Sequence, residues 1–433
     1  MNLKNRIVAN ASWLVAERIF RLMVNLFVSA WVARYLGPDG FGALSYGGAV
    51  VALFMVFAVC GLQNVVVREL VRHQDDTSRI LGSAVVLHTL GAAFGFTLAI
   101  IAMGWLALDD TVRLVTAIIA LSLLPRFTDV SMYWFEAGMQ TNVIAGVRTA
   151  AMLIASLLKI GLILTQAELV SFAWAIFIEH LVAAALFLLM YHRHGPGLGQ
   201  LAPSRYWLRT LAREAWPLLI AGLSVAAYMK VDQLMIGKMM GREAVGVYAA
   251  ASTLSEICYF IPLAIMTATV PVLVELRQTS RRQYMARYQL VLDALSLLAL
   301  AIALPVTVMA TWIIWLIFGA AFAEASSVLA IHVWTALFVF WGVATNRYLV
   351  IEGAQVVVLR RTLVALVINV CANLVLIPLM GVSGAALGLL LSQAYAGLFS
   401  DHFDRQTHDF VRLKYGSLRF VRNVRRLRAS LLS

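Results

Sequence analysis

Gly37-Pro38-Asp39-Gly40-Phe41-Gly42 marks the junction of two long apolar runs, residues 9–34 and 41–67. Gly241-Arg242-Glu243-Ala244-Val245-Gly246 marks the junction of two others, 214–238 and 243–274. Both junctions read Gly-x-acid-x-apolar-Gly, and from 37 to 241 the offset is 204 residues. A second correspondence follows downstream. Val67-Arg68-Glu69-Leu70 closes the run after the first junction, and Leu273-Val274-Glu275-Leu276 closes the run after the second. One period holds six apolar runs, an even number, so both copies enter the bilayer from the same side. The pattern predicts parallel repeats related by an axis along the membrane normal, with a substrate path between them.

Outward from these junctions, further runs cover 80–106, 112–136, 144–165, 168–191, 287–318, 324–346, 357–379 and 382–400, which makes twelve. Each is long enough to cross about 30 Å of hydrocarbon as a helix. The 433 residues are 62% hydrophobic and 13% charged, with a mean hydropathy of +0.85. A soluble domain carries roughly 25% charged residues, because its surface must be solvated. The expected fold is all-α and polytopic. The first run holds Glu17, Arg18 and Arg21 and lacks a small-residue cleavage site, so it reads as a retained span. Cys60, Cys258 and Cys371 all fall in apolar runs, which suggests neither a disulfide framework nor a metal cluster, and no cofactor is expected. Pro125, Pro262 and Pro305 lie well inside runs and predict kinks rather than breaks. Gly384 and Gly388 are spaced for close helix contact.

Lysine and arginine fix the expected orientation. With the N-terminus in the cytoplasm, about 25 Lys and Arg fall on the cytoplasmic side, among them Arg68, Arg72, Arg205, Arg209 and Arg213, against about four outside. Both termini are then cytoplasmic. The expected organisation is a six-helix lobe over 1–192, a cytoplasmic linker over 193–213, a second lobe over 214–402 and a basic cytoplasmic tail over 403–433. Arg419 through Arg428 are expected against anionic lipid headgroups. That placement accounts for the net charge of +12 without a nucleic-acid partner. The glycines at 195, 197 and 199 lack the Gly-Lys-Ser/Thr and the preceding strand of a phosphate loop.

Ionisable residues inside the runs carry the functional signal, since each costs at least about 2.5–3.5 kcal/mol at the bilayer centre. The basic ones are Arg18, Arg21, Arg126, Lys159 and Lys230, and the acidic ones are Glu17, Asp129, Glu179, Asp232, Glu256 and Asp293. Helical spacing puts Arg18, Arg21 and Asn25 on one face. It does the same for Arg126, Asp129, Tyr133 and Glu136, for Ser224, Tyr228 and Asp232, and for Ser252, Glu256 and Tyr259. Asn369 and Asn373 also share a face. Polar stripes on apolar helices are what a hydrated internal cavity requires. Arg126 and Asp129 are spaced equally well for a local pair. Asp293 lies near a run's end and reads as snorkelling, while His88, His180 and His332 read as packing or hydrogen-bonding groups. Arg18, Arg21 and Lys159 have no acidic neighbour in sequence except Glu17. Together with Arg126 and Lys230 they are the candidates for holding an anionic cargo such as a phosphate or pyrophosphate group. Glu17, Asp129, Glu179, Asp232 and Glu256 are candidates for coupling ions or for charge balance.

The stretch Ala33 through Gly42, the Asp232-Gln233 step and Leu254-Ser255-Glu256-Ile257-Cys258-Tyr259-Phe260-Ile261-Pro262 resemble the polysaccharide transporters, the Wzx-type flippases. Their superfamily (MOP) also holds the multidrug and toxin extruders and the lipid II flippase. The resemblance implies a V-shaped pair of six-helix lobes with a cationic lumen. It implies a cargo of undecaprenyl-pyrophosphate-linked oligosaccharide, an O-antigen or exopolysaccharide repeat unit, turned from the cytoplasmic to the periplasmic leaflet. Membrane lipids and a polysaccharide polymerase or other assembly proteins are the implied partners. The resemblance assigns no lumenal basic residue, so those candidates rest on the membrane argument alone. Two other readings compete. A cation-coupled multidrug exporter of the same superfamily favours acidic and aromatic cavity residues. A membrane-embedded polymerase or glycosyltransferase needs a large external loop or a soluble catalytic domain, and the chain shows neither.

Overall fold

The computed structural model describes residues 3–105, 109–195, 197–404 and 407–418, and among these every regular element is a helix. Twelve crossings follow in order. α1 (Leu3–Val59) carries the first and most of the second, and α2 (Leu62–Arg72) completes the second. α3 (Thr77–Trp105) is the third. The fourth is built from α4 (Asp110–Ala120), a 3-10 stretch Leu121–Thr128 and α5 (Asp129–Ala137). α6 (Thr141–Leu164), α7 (Leu169–His194) and α8 (Arg205–Met240) are the fifth to seventh. In the eighth, α9 (Arg242–Glu256) passes through a 3-10 turn, Ile257–Tyr259, into α10 (Phe260–Thr279). α11 (Arg281–Ile317) is the ninth, α12 (Ala325–His332) and α13 (Thr335–Ile351) share the tenth, and α14 (Gln355–Met380) and α15 (Val382–Gly397) close the set. α16 (His408–Ser417) follows the last crossing. By length and hydropathy alone eleven segments qualify as spans, the first of them 57 residues long, Ala16–Arg72. That length exceeds one bilayer core of about 30 Å nearly threefold at 1.5 Å per residue, and it is divided at Gly37.

The division has a backbone cause. Gly37 adopts φ 68°, ψ 178°, and Gly241 adopts φ 92°, ψ 179°. This region is open to glycine and essentially closed to any residue with a Cβ. The sequence repeat thus has the same turn at both copies. The prolines behave as their chemistry dictates. Pro125 lies inside the 3-10 stretch and Pro262 just after the other one, while Pro305 is accommodated within the continuous α11. A proline leaves a carbonyl one turn earlier without its donor, and tighter i→i+3 bonding around it keeps the buried backbone satisfied.

Two compact units divide the chain, Met1–Lys238 and Met239–Ser433. In the first, α8 is packed from its opening turns: Trp207, Leu211 and Ala215 join Leu62, Val66 and Tyr133 in one core. The preceding connection is fastened to α3, with Ser204 N donating to Ser83 Oγ at 3.0 Å and Ala202 N to the Ser78 carbonyl at 3.3 Å. Part of the expected linker 193–213 is therefore helix and core, and packing divides after α8. In the second unit Tyr284, Tyr288, Trp341, Tyr348 and Phe410 form the aromatic centre. A Cβ on Gly384 would lie 2.1 Å from the Leu376 carbonyl, so α14 and α15 touch backbone to side as the glycine spacing implies. Leu157, Leu164, Val308 and Leu379 stand exposed, the surface a bilayer covers.

The expected tail divides in two. Arg419 through Arg428 lie outside the described residues, whereas α16 is folded into the second unit. Lys414 is fully buried, donates to the Gly397 carbonyl at 2.6 Å and meets Asp401 Oδ2 at 2.5 Å. Arg361 Nη2 meets the other oxygen of Asp401 at 2.6 Å, and Arg360 pairs with Asp404 at 2.6 Å. Burial lowers the Lys414 ammonium to about 8, against the pull of Asp401. The folded form thus releases this proton more readily than the unfolded chain. Lys414 by itself makes the second unit gain stability as pH rises from about 8 towards 10.5.

Two outcomes follow for melting of the purified protein. Gly37→Ala and Gly241→Ala should each cost about 1–3 kcal/mol, while Gly48→Ala, in ordinary helix with open space, should be near neutral. Equal effects at all three would contradict the turn argument. Asp401→Asn strands two buried cations and should cost about 3–5 kcal/mol. Lys414→Met, which leaves Asp401 with Arg361, should cost clearly less and should remove the stability gain above pH 8.

Candidate functional site

The charges inside the first unit converge from four spans on one cavity of about 300 Å³. Arg21 and Asn25 reach it from α1, Arg126 and Asp129 from the bent fourth span, Arg148 from α6, and Glu179 and His180 from α7. Met132, Met152 and Phe187 make its apolar wall. The bend is what aims the fourth span, because a 3-10 stretch turns three residues per revolution and rotates Arg126 out of the register of α5.

Ion pairs consume most of this charge. Arg126 Nη1 lies 3.4 Å from Asp129 Oδ2. Lys159 Nζ lies 2.9 Å from Glu179 Oε2, joining α6 to α7. Arg21 Nε lies 3.7 Å from Glu17 Oε1, which also accepts a hydrogen bond from Thr149 Oγ1 at 2.5 Å. Arg148 differs. Its Nη2 points at the Met132 sulfur, 3.0 Å away, and no ion pair to it is present among the described residues. Arg126 Nε is also buried without a hydrogen-bond partner. A thioether is a weak acceptor, and a buried guanidinium N–H left unpaired is costly. Arg21, Arg126 and Lys159 each have a carboxylate within 4 Å, whereas Arg148, which Asp129 and Glu136 influence only from further away, has no ion pair.

Several sequence candidates lie elsewhere. Arg18 is exposed beside exposed Ile19 and Phe20 and does not line the cavity. The i, i+3 step from Arg21 turns it to the outer face of α1. Lys230 is half-buried on α8 and also absent from the lining. Asp232 is buried on α8, and Glu256 is half-buried at the end of α9 in the second unit. The stripe of Arg126, Asp129, Tyr133 and Glu136 splits: Tyr133 enters the core, and Glu136 accepts from Gln63 Nε2 at 2.9 Å. Only the end of the stripe at the start of α5 reaches the cavity. Lys159, expected without an acidic neighbour, finds one on the next span. Asp293 does not snorkel; it is fully buried and accepts from Gln289 Nε2 at 2.6 Å. His88 and His332 make the hydrogen bonds expected of them, to the Ala58 carbonyl and to Ser255 Oγ, both at 2.7 Å. His180, bonded to the Ile176 carbonyl at 2.9 Å, additionally lines the cavity.

Arg148 is the residue sequence reasoning passed over. It stands early in α6, where a basic side chain ordinarily snorkels to the interface. The available signal was its spacing of three helical turns from Lys159, which places both on one face. Among the described residues no group of three His, Cys, Asp or Glu could hold a metal ion. The chemistry on offer is recognition of an anion.

A family model described as polysaccharide biosynthesis protein matches residues 7–277. Among curated proteins none matches the sequence significantly. Among solved structures the fold is similar to the lipid II flippase MurJ in an inward closed conformation. That likeness has a TM-score of 0.74 at 13% identity over 93% of this chain and 90% of that one. It is similar to an inward-facing multidrug resistance MATE family transporter of the MOP superfamily, with a TM-score of 0.71 at 16% identity over 94% and 96%. A MOP superfamily transporter from Pyrococcus furiosus, described by the reverse polarity of its binding pocket, gives a TM-score of 0.63 at 15% identity over 92% and 95%. At these identities the likeness establishes the fold, that of MOP superfamily transporters.

The pairing itself is testable. Lys159→Gln and Glu179→Gln should each lower stability by about 1–3 kcal/mol by leaving one charge unpaired. The double variant should recover most of that loss in a melting-based double-mutant cycle. Simple additivity would show that the two side chains do not depend on each other.

Proposed function

We infer the function from the premise that the chain belongs to the polysaccharide biosynthesis protein family. It is a multi-pass membrane protein with a MOP-type fold, and we read it as a transporter rather than an enzyme. The cargo is a lipid-linked oligosaccharide carried on a polyprenyl pyrophosphate, which the protein moves from the cytoplasmic to the periplasmic leaflet of a bacterial inner membrane. The single observation that carries this reading is the guanidinium of Arg148, which faces the Met132 sulfur without an ion pair in a cavity whose other charges are paired. A phosphate oxygen offers Arg148 and Arg126 Nε the charge-assisted acceptors they lack. Arg21–Glu17, Arg126–Asp129 and Lys159–Glu179 hold the remaining charges in place, so an arriving diphosphate meets a preorganised site.

Alternating access then turns the headgroup while the polyprenyl tail stays in lipid. The pyrophosphate enters the cavity, and its oxygens take up the donors that the empty state leaves without a charged partner. That difference in free energy between loaded and empty states is what a carrier needs for its cargo to drive a conformational step. A drug exporter selecting organic cations fits less well. Glu17, Asp129 and Glu179 each have a basic partner within 4 Å, which leaves no carboxylate for a cationic drug.

The test is complementation of a deletion strain. Loss of the protein should make lipid-linked repeat units accumulate on the cytoplasmic face. Arg148→Gln should fail to relieve that accumulation, with transport reduced about 10- to 100-fold, the worth of one charged hydrogen bond. Arg18→Gln should complement fully. Normal transport by the Arg148 variant, at normal membrane levels, would contradict the cavity reading.

A further inference from the structure

The opening turns of α8 carry a row of charge that the cavity does not use. Arg205, Arg209 and Arg213 recur every fourth residue and are all exposed. None of the three makes an ion pair among the described residues. Glu214 beside them is already bound to Arg68 of α2, so it does not cancel the row. Several other basic residues at helix ends are neutralised: Arg79 by Asp76, Arg277 by Glu352, Arg360 by Asp404. The arginines, with Tyr206, line an open depression of about 790 Å³.

The row is held rigidly and at a fixed depth. On the opposite face Trp207, Leu211 and Ala215 are buried in the core of the first unit. The segment ahead is fastened to α3 through Ser83 and Ser204. Without interruption the same helix continues into its apolar membrane crossing. Tyr206 and Trp216 bracket the row and are 68% and 58% exposed. Aromatic side chains in that position mark the level of lipid headgroups.

We propose that Arg205, Arg209 and Arg213 form a binding surface for the phosphates of anionic phospholipids in the leaflet where α8 begins. Arg205 and Arg213 are about 12 Å apart along the helix axis at 1.5 Å per residue. That is longer than one diphosphate and suits several headgroups side by side. Guanidinium forks hold phosphate oxygens two at a time, which a point charge does not. The surface fixes the seventh span against the bilayer, and it acts independently of the identity of the cargo.

The experiment uses the full-length purified protein with equal amounts of phosphatidylglycerol and phosphatidylcholine, and reads retained lipid by native mass spectrometry. The wild type should retain phosphatidylglycerol preferentially. Because one basic residue near a membrane surface is worth about fivefold, the R205Q/R209Q/R213Q protein should lose at least about tenfold of that preference. Changing the same positions to lysine should keep part of it. A control with three other exposed arginines, R282Q/R287Q/R412Q, should behave like the wild type. The side chains are exposed and unpaired, so the triple variant should melt normally; if it does not, Arg209→Gln alone should give a proportionate loss. An unchanged preference in the glutamine variants overturns the proposal, and so does an equal loss in the control. Displacement of phosphatidylglycerol by undecaprenyl pyrophosphate from the wild type, at far lower concentration than by added phosphatidylglycerol, would make the row a cargo site and overturn the assignment to resident lipid.

Discussion

The constraint on which the rest depends is that a charge placed among apolar helices must be compensated. In the first unit this produces three ion pairs, Arg21–Glu17, Arg126–Asp129 and Lys159–Glu179, at 3.7, 3.4 and 2.9 Å. Lys159–Glu179 ties α6 to α7, the Thr149–Glu17 hydrogen bond ties α6 to α1, and the other two pairs are local to their own spans. None of them is strong by itself, since their side chains are 11–29% exposed to the hollow. Their effect is to leave a single one of these basic groups, Arg148, without an ion pair among the described residues. In the proposed function, selectivity for an anion comes from that remainder and not from a wholesale cationic lining.

Backbone chemistry places these side chains. The turn at Gly37 folds one apolar run into two crossings, and Gly241 does the same in the second copy. The 3-10 stretch around Pro125 alters the pitch of the fourth span and swings Arg126 and Asp129 into the hollow. Further along α5, Tyr133 enters the core and Glu136 accepts from Gln63. In the second unit the corresponding irregularities, at Ile257–Tyr259 and between α12 and α13, position Ser255 against His332 and Tyr259 against Thr335. There the polar groups are neutral and mutually bonded, a packing solution with no charge to spare.

How much of this was legible in the sequence depends on how local the cause is. The succession of apolar helices, the glycine turns at 37 and 241 and the Gly384 contact follow from hydropathy and residue size, and they could be read directly. The partners of Lys159 and Asp293 could not. Glu179 is 20 residues from Lys159 and reaches it only through the packing of two spans, while Gln289 lies one turn before Asp293 and turns a supposed surface group into a buried one. Arg18 was misplaced because a three-residue spacing was taken to guarantee one face, when only Arg21 reaches the hollow. Arg148 was passed over because its position near a span end offered an innocuous explanation. Basic residues after the last crossing read as a solvated tail, yet α16 buries Lys414 against Asp401, a contact that no periodicity announces.

The two regions of arginine in the first unit then differ in kind. The row on α8 is solvated and repetitive, suited to many weak phosphate contacts at a surface. The cavity lies between spans and holds one guanidinium without an ion pair, whose hydrogen bond goes to a sulfur. A structure of the full-length protein with a bound polyprenyl-pyrophosphate oligosaccharide tests that distinction most directly. The account predicts phosphate oxygens within hydrogen-bonding distance of Arg148 and Arg126 Nε, with the Arg148–Met132 contact broken. Phosphate bound elsewhere, with Arg148 still against Met132, would contradict it.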